Sequence, residues 1–229
     1  MRLFSRAALA AIVISLTACA GTPQTPIELT PATLAGKTRI GVVMAKLPKV
    51  DVNLPGASCL LCIAAASVAN SSLTTHTQTL GYEDLPKLNA DLAQALTKKG
   101  QEAVVIDEPL NLETLPDAAK GANLARKDFS SLKKKYGVEK LVVVELTTLG
   151  MERSYSAYIP NGPPHAILAG SAYLVNLSSN TYEWYRPIKL VRETEGKWDE
   201  PPKFPGLTNA YFQVIELGKD DVVKPFKAQ

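Results

Sequence analysis

Residues 135–146 read KYGVEKLVVVEL, and this stretch joins the end of a helix to the start of a strand. Gly137 is a typical helix C-cap, because glycine adopts the left-handed backbone conformation without a steric penalty. The run from Lys140 to Leu146 is continuous and rich in β-branched residues, which indicates a strand buried on both faces. The stretch therefore predicts a domain in which helices lead into central strands.

Upstream of this junction, the chain alternates between strands and amphipathic helices. Residues 38–45, TRIGVVMA, predict a buried first strand, and residues 103–106 predict a second one. Between them, leucines recur every three or four positions over residues 84–99, which predicts a helix that begins at Asp84. A further helix is predicted over residues 124–136. Two strand–helix–strand steps of this kind favour parallel pairing with right-handed crossovers.

After Gly150 the pattern changes to strands separated by turns. Strands are predicted over residues 154–159, 166–177 and 182–192, and they form an antiparallel meander. A closing helix is predicted from residue 207 to about residue 224. The resulting order, β-α-β-α-β-β-β-α, predicts an α/β (α+β) fold with helices packed on a mixed β-sheet.

The first residues have the pattern of an export signal. Arg2 and Arg6 precede an apolar run over residues 7–18, which has the length of a signal-peptide core and is too short to span a bilayer. The run ends in Leu16-Thr17-Ala18, and Cys19 follows directly. This pattern resembles the lipobox of bacterial lipoproteins. The resemblance implies that residues 1–18 are a signal peptide and that Cys19 carries a diacylglycerol and an N-acyl lipid.

The segment after Cys19 predicts how the domain is connected to the lipid. Residues 19–36 are rich in Thr and Pro and lack an apolar period, so we expect a lipidated cysteine followed by a flexible tether. Residues 37–229 then form a single domain, with an insertion at about residues 47–82. Ala20 stands where Asp would favour retention in the inner membrane under the enterobacterial sorting rule. We therefore expect a membrane-bound protein on the periplasmic face of the outer membrane.

The charge and composition exclude some partners. The formal net charge of +3 includes Arg2 and Arg6, which leave with the signal peptide, so the mature chain is near neutral. Nothing in this charge balance calls for nucleic acid or an acidic partner, so no nucleic acid is expected as a partner. The ordinary content of charged and hydrophobic residues, 21% and 46%, is typical of a globular domain.

The element order on a lipobox-bearing chain resembles a superfamily of periplasmic lipoproteins that contains CsgG, LpoB, FlgO and PelC. Three local stretches carry the resemblance: NADLAQALTKKG, KYGVEKLVVVEL and AYLVNLSSNTYEWY. In the last stretch, Asn180 stands where the family often has Gly, and Asn tolerates the positive φ that the turn needs. The resemblance covers residues 37–226. It implies a non-enzymatic envelope factor and self-association, since several members form rings, and it implies no catalytic residues.

The predicted insertion contains the two cysteines of the mature domain, Cys59 and Cys62, in the stretch PGASCLLCIAAASVANSSL. Three interpretations are open. The pair forms a structural disulfide or two buried thiols, as the oxidising periplasm allows. The apolar segment is an interaction surface for a membrane or a neighbouring subunit. The pair is redox-active, which requires an exposed, activated thiolate; Leu60-Leu61 and the lack of a nearby Trp differ from the thioredoxin motif.

Other candidate sites are weaker. Gly36-Lys37-Thr38 resembles the end of a phosphate-binding loop, but it precedes a strand where that motif follows one. Solvated side chains are expected for the two histidines and for two carboxylate pairs: His76, His165, Asp107-Glu108 and Asp220-Asp221. An aromatic group predicts either a recognition face or cross-strand packing: Tyr173, Tyr182, Trp184 and Tyr185. No metal, other cofactor or enzymatic activity is expected.

The leading hypothesis is therefore an outer-membrane lipoprotein that acts as a self-associating accessory or scaffold protein in an envelope assembly or secretion system. Two alternatives come from other functional classes. One is a periplasmic thiol–disulfide protein that uses Cys59 and Cys62. The other is a lipoprotein that binds a glycan or a lipid on its aromatic face.

Overall fold

A computed structural model describes residues 24–82 and 84–227 of the chain. The predicted signal peptide, residues 1–18, and the predicted lipidation site Cys19 lie outside the described residues. The described chain has a mixed β-sheet with helices packed beside it, which confirms the predicted fold class.

The main sheet has six strands and a central parallel part. Its order is β3-β1-β4-β7-β8, and β2 pairs with the second half of β4. Strand β1 runs parallel to β3 and β4, whereas β7 is antiparallel to both β4 and β8. A separate short hairpin consists of β5 and β6. The strands are β1 (Arg39–Ala45), β2 (Asp51–Asn53), β3 (Glu102–Leu110), β4 (Lys140–Glu152), β5 (Tyr155–Ser156), β6 (Ile159–Pro160), β7 (His165–Asn176) and β8 (Thr181–Arg192).

Strand β4 lies at the centre of the sheet and is buried on both faces. Val142 and Val144 pack into one apolar cluster, whereas Leu141 and Val143 pack into the cluster on the opposite face. This alternation follows from the two-residue period of a strand. A strand that is covered on both faces needs apolar residues at every position, which explains the continuous LVVV run.

Three of the α-helices in the described ranges, α3, α4 and α5, cover the two faces of the sheet unequally. Helices α3 and α5 supply buried side chains to the larger cluster, and α4 supplies Leu132 to the smaller one. Under α5, the ring of Trp184 meets the ring of Phe226 edge to face, with 4.9 Å between their centroids. The helices are α1 (Leu60–Ala69), α2 (Ser71–Thr77), α3 (Leu88–Lys98), α4 (Ser130–Tyr136) and α5 (Pro205–Val223).

Helix α4 is shorter than predicted, because the residues before it bond to a turn instead. The sequence predicts a helix over 124–136, but α4 begins at Ser130. The N–H of Ala125 donates to the carbonyl of Asn180, and the N–H of Phe129 donates to the Asn180 side chain at 2.9 Å. Asn180 has a φ of 54°, as expected for its turn position. Its side chain therefore also anchors the neighbouring loop, which a glycine there would not do.

Residues 24–36 lie against the domain, which corrects the prediction of a flexible tether over residues 19–36 for its described part. Ile27 exchanges two backbone hydrogen bonds with Tyr185 on the outer edge of β8, at 2.9 and 3.0 Å. Leu29 and Leu34 pack against the larger apolar cluster. Lys140 donates to the carbonyl of Thr33 at 2.8 Å. These contacts make the segment part of the domain.

The predicted insertion at residues 47–82 carries β2, α1 and α2. Strand β2 pairs with Gly150 and the two residues after it, at the end of β4. Only glycine fits at position 150, because a Cβ there would overlap the backbone oxygen of Asp51. This close pairing places α1 beyond that end of the sheet. Within the described ranges, no helix combines the length and apolar character needed to cross a membrane.

Candidate interaction site on helix α1

Helix α1 presents large apolar side chains to solvent. Four of them are exposed by 88%, 72%, 48% and 75%: Leu60, Leu61, Ile63 and Val68. We call these four residues the α1 surface. No Asp, Glu, Lys or Arg occurs from residue 52 to residue 82, so charged side chains of the helix do not interrupt it. A helix that is apolar on all sides is normally buried, and an exposed one marks an interaction site.

A narrow stripe attaches α1 to the rest of the domain. Only Cys62 and Ala66 are buried along the helix, at positions i and i+4, and Asn70 continues the stripe. The two α1 residues pack with Ala57 and Tyr155 in a small cluster separate from the main core. One short stripe leaves the other sides of the helix available for contact.

Asn70 fixes the end of α1 through three hydrogen bonds. Its amide donates to the carbonyl of Ala66 at 2.7 Å and to the hydroxyl of Tyr155 at 2.6 Å, and its carbonyl accepts from Arg153 at 3.2 Å. Asn70 is only 2% exposed, so these bonds satisfy a buried polar group. The guanidinium of Arg153 also lies over the ring of Trp198, 4.6 Å from its centroid. This network joins α1 to the segment that follows β4.

A disulfide closes the first turn of α1. Cys59 is the N-cap residue and is exposed, whereas Cys62 is 3% exposed, and the two are bonded. The N–H of Cys62 donates to Cys59 Sγ at 3.0 Å. The hydroxyl of Tyr158 lies 3.6 Å from the same sulfur. A disulfide sulfur carries no proton, so the hydroxyl is the donor.

The energetics favour covering the α1 surface with another apolar surface. Burying one Val, Leu or Ile side chain contributes about 1.5–3 kcal/mol. Four such side chains on about two and a half turns of exposed helix therefore make a compact binding surface. The arrangement supports binding and, at the disulfide, thiol chemistry.

The histidines are half-buried and have partners, which corrects the expectation that they are solvated. His76 Nε2 lies 2.7 Å from the hydroxyl of Thr208, and its ring packs near Phe204. Burial lowers the pKa of His76, which favours the neutral form. His165 Nε2 lies 3.7 Å from a carboxylate oxygen of Glu152.

The two carboxylate pairs lie on different elements, and three of their four carboxylates form ion pairs with basic side chains. Asp107 and Glu108 are exposed on β3, and Glu108 pairs with Lys135. Asp221 forms an ion pair with Arg186, and Asp220 pairs with Lys227. In residues 24–82 and 84–227, no three His, Cys, Asp or Glu side chains come together in a way that would hold a metal ion.

The aromatic group is divided between the two faces of the sheet and is buried. Tyr173, Tyr182 and Tyr185 pack together in the smaller cluster, whereas Trp184 lies in the larger one. All four are exposed by 7% or less, so they form packing layers and not an open recognition face. Burial, together with the nearby charge of Glu145, raises the pKa of Tyr173 well above its usual value. The Tyr173 hydroxyl donates to Glu145 at 2.9 Å.

A surface cavity of about 330 Å³ lies near Arg153 and is lined partly by His165, Glu193 and Trp198. A glycan site would use an open aromatic ring face, but the Arg153 guanidinium covers one face of Trp198. The cavity therefore supports the glycan hypothesis less well than α1 supports docking. Sequence reasoning identified the cysteines and the apolar run. It missed the residues that hold them, Asn70, Arg153, Tyr155 and Tyr158, since sequence periodicity carries no signal for such distant pairs.

Comparisons with known proteins do not assign the chain to a family. No protein-family model matches it, and no curated protein matches it in sequence. Among solved structures, a PelC dodecamer from Paraburkholderia phytofirmans is 11% identical, with 91% of this chain and 95% of that chain covered and a TM-score of 0.35. Lipoprotein GNA1162 from Neisseria meningitidis is 11% identical, with 79% and 99% covered and a TM-score of 0.29. Such low TM-scores do not establish a common fold, so the superfamily resemblance stays a prediction.

We predict that Asn70→Ala loosens α1 without unfolding the domain. The substitution leaves the Tyr155 hydroxyl and Arg153 without their buried partner, which costs about 1–3 kcal/mol locally. Hydrogen exchange measured by mass spectrometry should accelerate over residues 60–69 by roughly tenfold or more and stay unchanged in β4. Asn111→Ala is the matched control, because Asn111 caps an exposed turn on another part of the chain. Unchanged exchange over residues 60–69 in Asn70→Ala would contradict this account of α1.

Proposed function

We propose that the protein is a lipid-anchored accessory or scaffold protein in an envelope assembly or secretion system, and that it holds a partner protein on the α1 surface. The observation that carries the proposal is the exposure of four large apolar side chains on a helix without charges. The partner is another exported protein with an apolar, uncharged contact surface. The role needs no catalysis.

The positions of Gln24 and of α1 support a partner away from the anchoring membrane. Gln24 contacts Asn123 at 3.4 Å, and the carbonyl of Asn123 accepts from Tyr182 at the start of β8. The start of β8 lies at the same end of the sheet as the start of β4, whereas α1 contacts the residues after the end of β4. Gln24 and α1 therefore lie at opposite ends of the sheet.

The chain between Cys19 and Gln24 is short compared with the sheet. Cys19 precedes Gln24 by five positions, a reach of at most about 17 Å. From Tyr182 to Arg192, β8 advances about 33 Å. A lipid on Cys19 thus holds the opposite end of the domain near the membrane. Helices that lie on membranes are also typically rich in Lys and Arg, which α1 lacks.

The localisation and the self-association are further parts of the proposal. The lipobox and Ala20 support the periplasmic face of the outer membrane. Confinement of anchored chains to a thin layer raises their effective concentration, which favours weak contacts between copies. The α1 surface carries no charge, so it adds no electrostatic repulsion between neighbouring copies that are anchored in the same membrane.

We predict that a photo-crosslinking amino acid at position 61 or 68 captures one defined partner in cells, because both side chains point into solvent on the α1 surface. The products are identified by mass spectrometry. The same amino acid at Val105 on β3 is the control, since that side chain is 37% exposed but lies outside α1. Adding Leu60→Lys should abolish the product at position 68 and leave the fold intact, because Leu60 is 88% exposed.

The identity of the crosslinked molecule shows which kind of partner binds the α1 surface. A defined exported protein supports the proposal. Capture of a second copy alone would make α1 a self-association surface, and capture of lipid alone would place α1 on a membrane. Equal, unspecific products at positions 61, 68 and 105 would contradict any docking role of α1.

We predict that the lipidated chain self-associates at a membrane. Light scattering of the full chain in detergent should give a protein mass of more than one copy, because the anchors bring copies together. The Cys19→Ala form should associate more weakly. A monodisperse monomer of both forms, with and without detergent, would remove self-association from the proposal.

A further inference from the structure

The two sulfurs of the Cys59–Cys62 disulfide differ in access. Cys59 is exposed at the N-cap of α1, whereas Cys62 is 3% exposed and packs against Tyr155. An incoming thiolate therefore reaches Cys59 Sγ and not Cys62 Sγ. Thiol–disulfide exchange depends on which sulfur is open to attack, and this asymmetry selects one of them.

Two donors and a helix N-terminus surround Cys59 Sγ, and such groups favour a thiolate once a disulfide is opened. The Cys62 N–H donates to Cys59 Sγ at 3.0 Å, and the hydroxyl of Tyr158 lies 3.6 Å away from it. The N-terminus of the ten-residue α1 carries partial positive charge, which also favours a thiolate there. The charged side chain in the α1 network, Arg153, acts at the other end of the helix through Asn70. The hairpin that packs against the disulfide contributes the side chains of Tyr155 and Tyr158.

We propose that Cys59 and Cys62 form a thiol–disulfide exchange site that oxidises a dithiol in a polypeptide docked on the α1 surface. The choice of substrate rests on the proposed docking role of α1, whereas the chemistry rests on the disulfide itself. Leu60 and Leu61 lie between the two cysteines, so an exchanging polypeptide contacts apolar side chains directly beside the attacked sulfur. The substrate class is an exported polypeptide with apolar residues next to its cysteines.

The reaction balances without a further oxidant. A substrate thiolate attacks Cys59 Sγ, the Cys59–Cys62 bond breaks, and Cys62 leaves as a thiolate that takes a proton from water. The second substrate thiol loses its proton to water and attacks the substrate sulfur bound to Cys59. Cys59 leaves as a thiolate, stabilised by the Cys62 N–H and the Tyr158 hydroxyl. The substrate loses two electrons and gains a disulfide, and the site becomes a dithiol.

The test uses the oxidised full chain in detergent and two synthetic peptides, each with two reduced cysteines. One peptide has Leu and Val next to its cysteines, and the other has Ser and Gln. Mass spectrometry follows peptide oxidation and the free thiols of the protein. We expect one peptide disulfide for each protein dithiol that forms. We also expect the apolar peptide to react about tenfold faster, because burying one apolar side chain strengthens binding by about that factor.

Variants assign the roles of the two cysteines. In Cys62→Ser, a Cys59 activated by dithiobis(nitrobenzoic acid) should form a mixed disulfide with the peptide. In Cys59→Ser, the buried Cys62 should resist both activation and adduct formation. In the reduced protein, Tyr158→Phe should slow alkylation of Cys59 near neutral pH by up to about tenfold, as expected for the loss of one hydrogen bond to a thiolate. Tyr136→Phe, far from α1 in the chain, should leave the rate unchanged.

The outcomes separate the exchange site from the docking role. No peptide oxidation by the wild-type protein, or an adduct on Cys62 instead of Cys59, would overturn the exchange site and leave the docking role standing. Oxidation of both peptides at equal rates would overturn the substrate class and count against docking on the α1 surface. Oxidation with the expected preference, lost in Leu61→Lys while reaction with dithiothreitol is unchanged, supports both.

Discussion

The attachment of α1 to the domain depends on one buried contact, the packing of Cys62, Ala66 and Asn70 against Tyr155. Because this stripe is narrow, the fold holds the helix in place while most of its apolar surface stays in water. A wider stripe would bury the helix, and a missing Asn70 would leave polar groups of the network unpaired. The contact therefore attaches α1 to the domain and leaves the α1 surface exposed. Side chains that stay in water contribute no burial energy to folding, and an exposed apolar patch marks an interaction site.

The sheet determines at which end of the domain the α1 surface lies. Pairing of β2 with the end of β4, at a glycine that permits close backbone approach, carries the chain past the end of β1 before α1 begins. The segment around Ile27 pairs with the first half of β8, which lies towards the end of the sheet opposite to α1. The same strands that form the core thus separate the segment around Ile27 from helix α1. A protein arranged in this way can link a membrane to a partner protein that is held away from that membrane, which fits the proposed scaffold role. A reactive disulfide at the tip of the docking helix would add covalent chemistry where the partner makes contact.

The sequence predicted the fold best where one physical constraint dominates. The LVVV run predicted β4 because a strand buried on both faces tolerates only apolar residues, and Gly137 marked the end of α4. It predicted too long an α4, since the bonds from residues 124–129 to Asn180 are non-local. It also predicted a flexible tether over residues 19–36, because Thr and Pro indicate extended chain but do not reveal that Ile27 pairs with β8. At the candidate site, CxxC and the apolar run were visible in the sequence. The exposure of Cys59 and the contacts from Arg153, Tyr155 and Tyr158 arise from tertiary packing.

The central claim is that α1 faces away from the membrane that carries the anchor. It is tested most directly by placing an environment-sensitive fluorescent amino acid at position 61 of the lipidated chain in nanodiscs that contain brominated lipids. The account predicts that bromine does not quench this fluorophore, whereas the same fluorophore at Thr25, close to Cys19 in sequence, is quenched. Strong quenching at position 61 would show α1 inserted in the bilayer and would contradict the account.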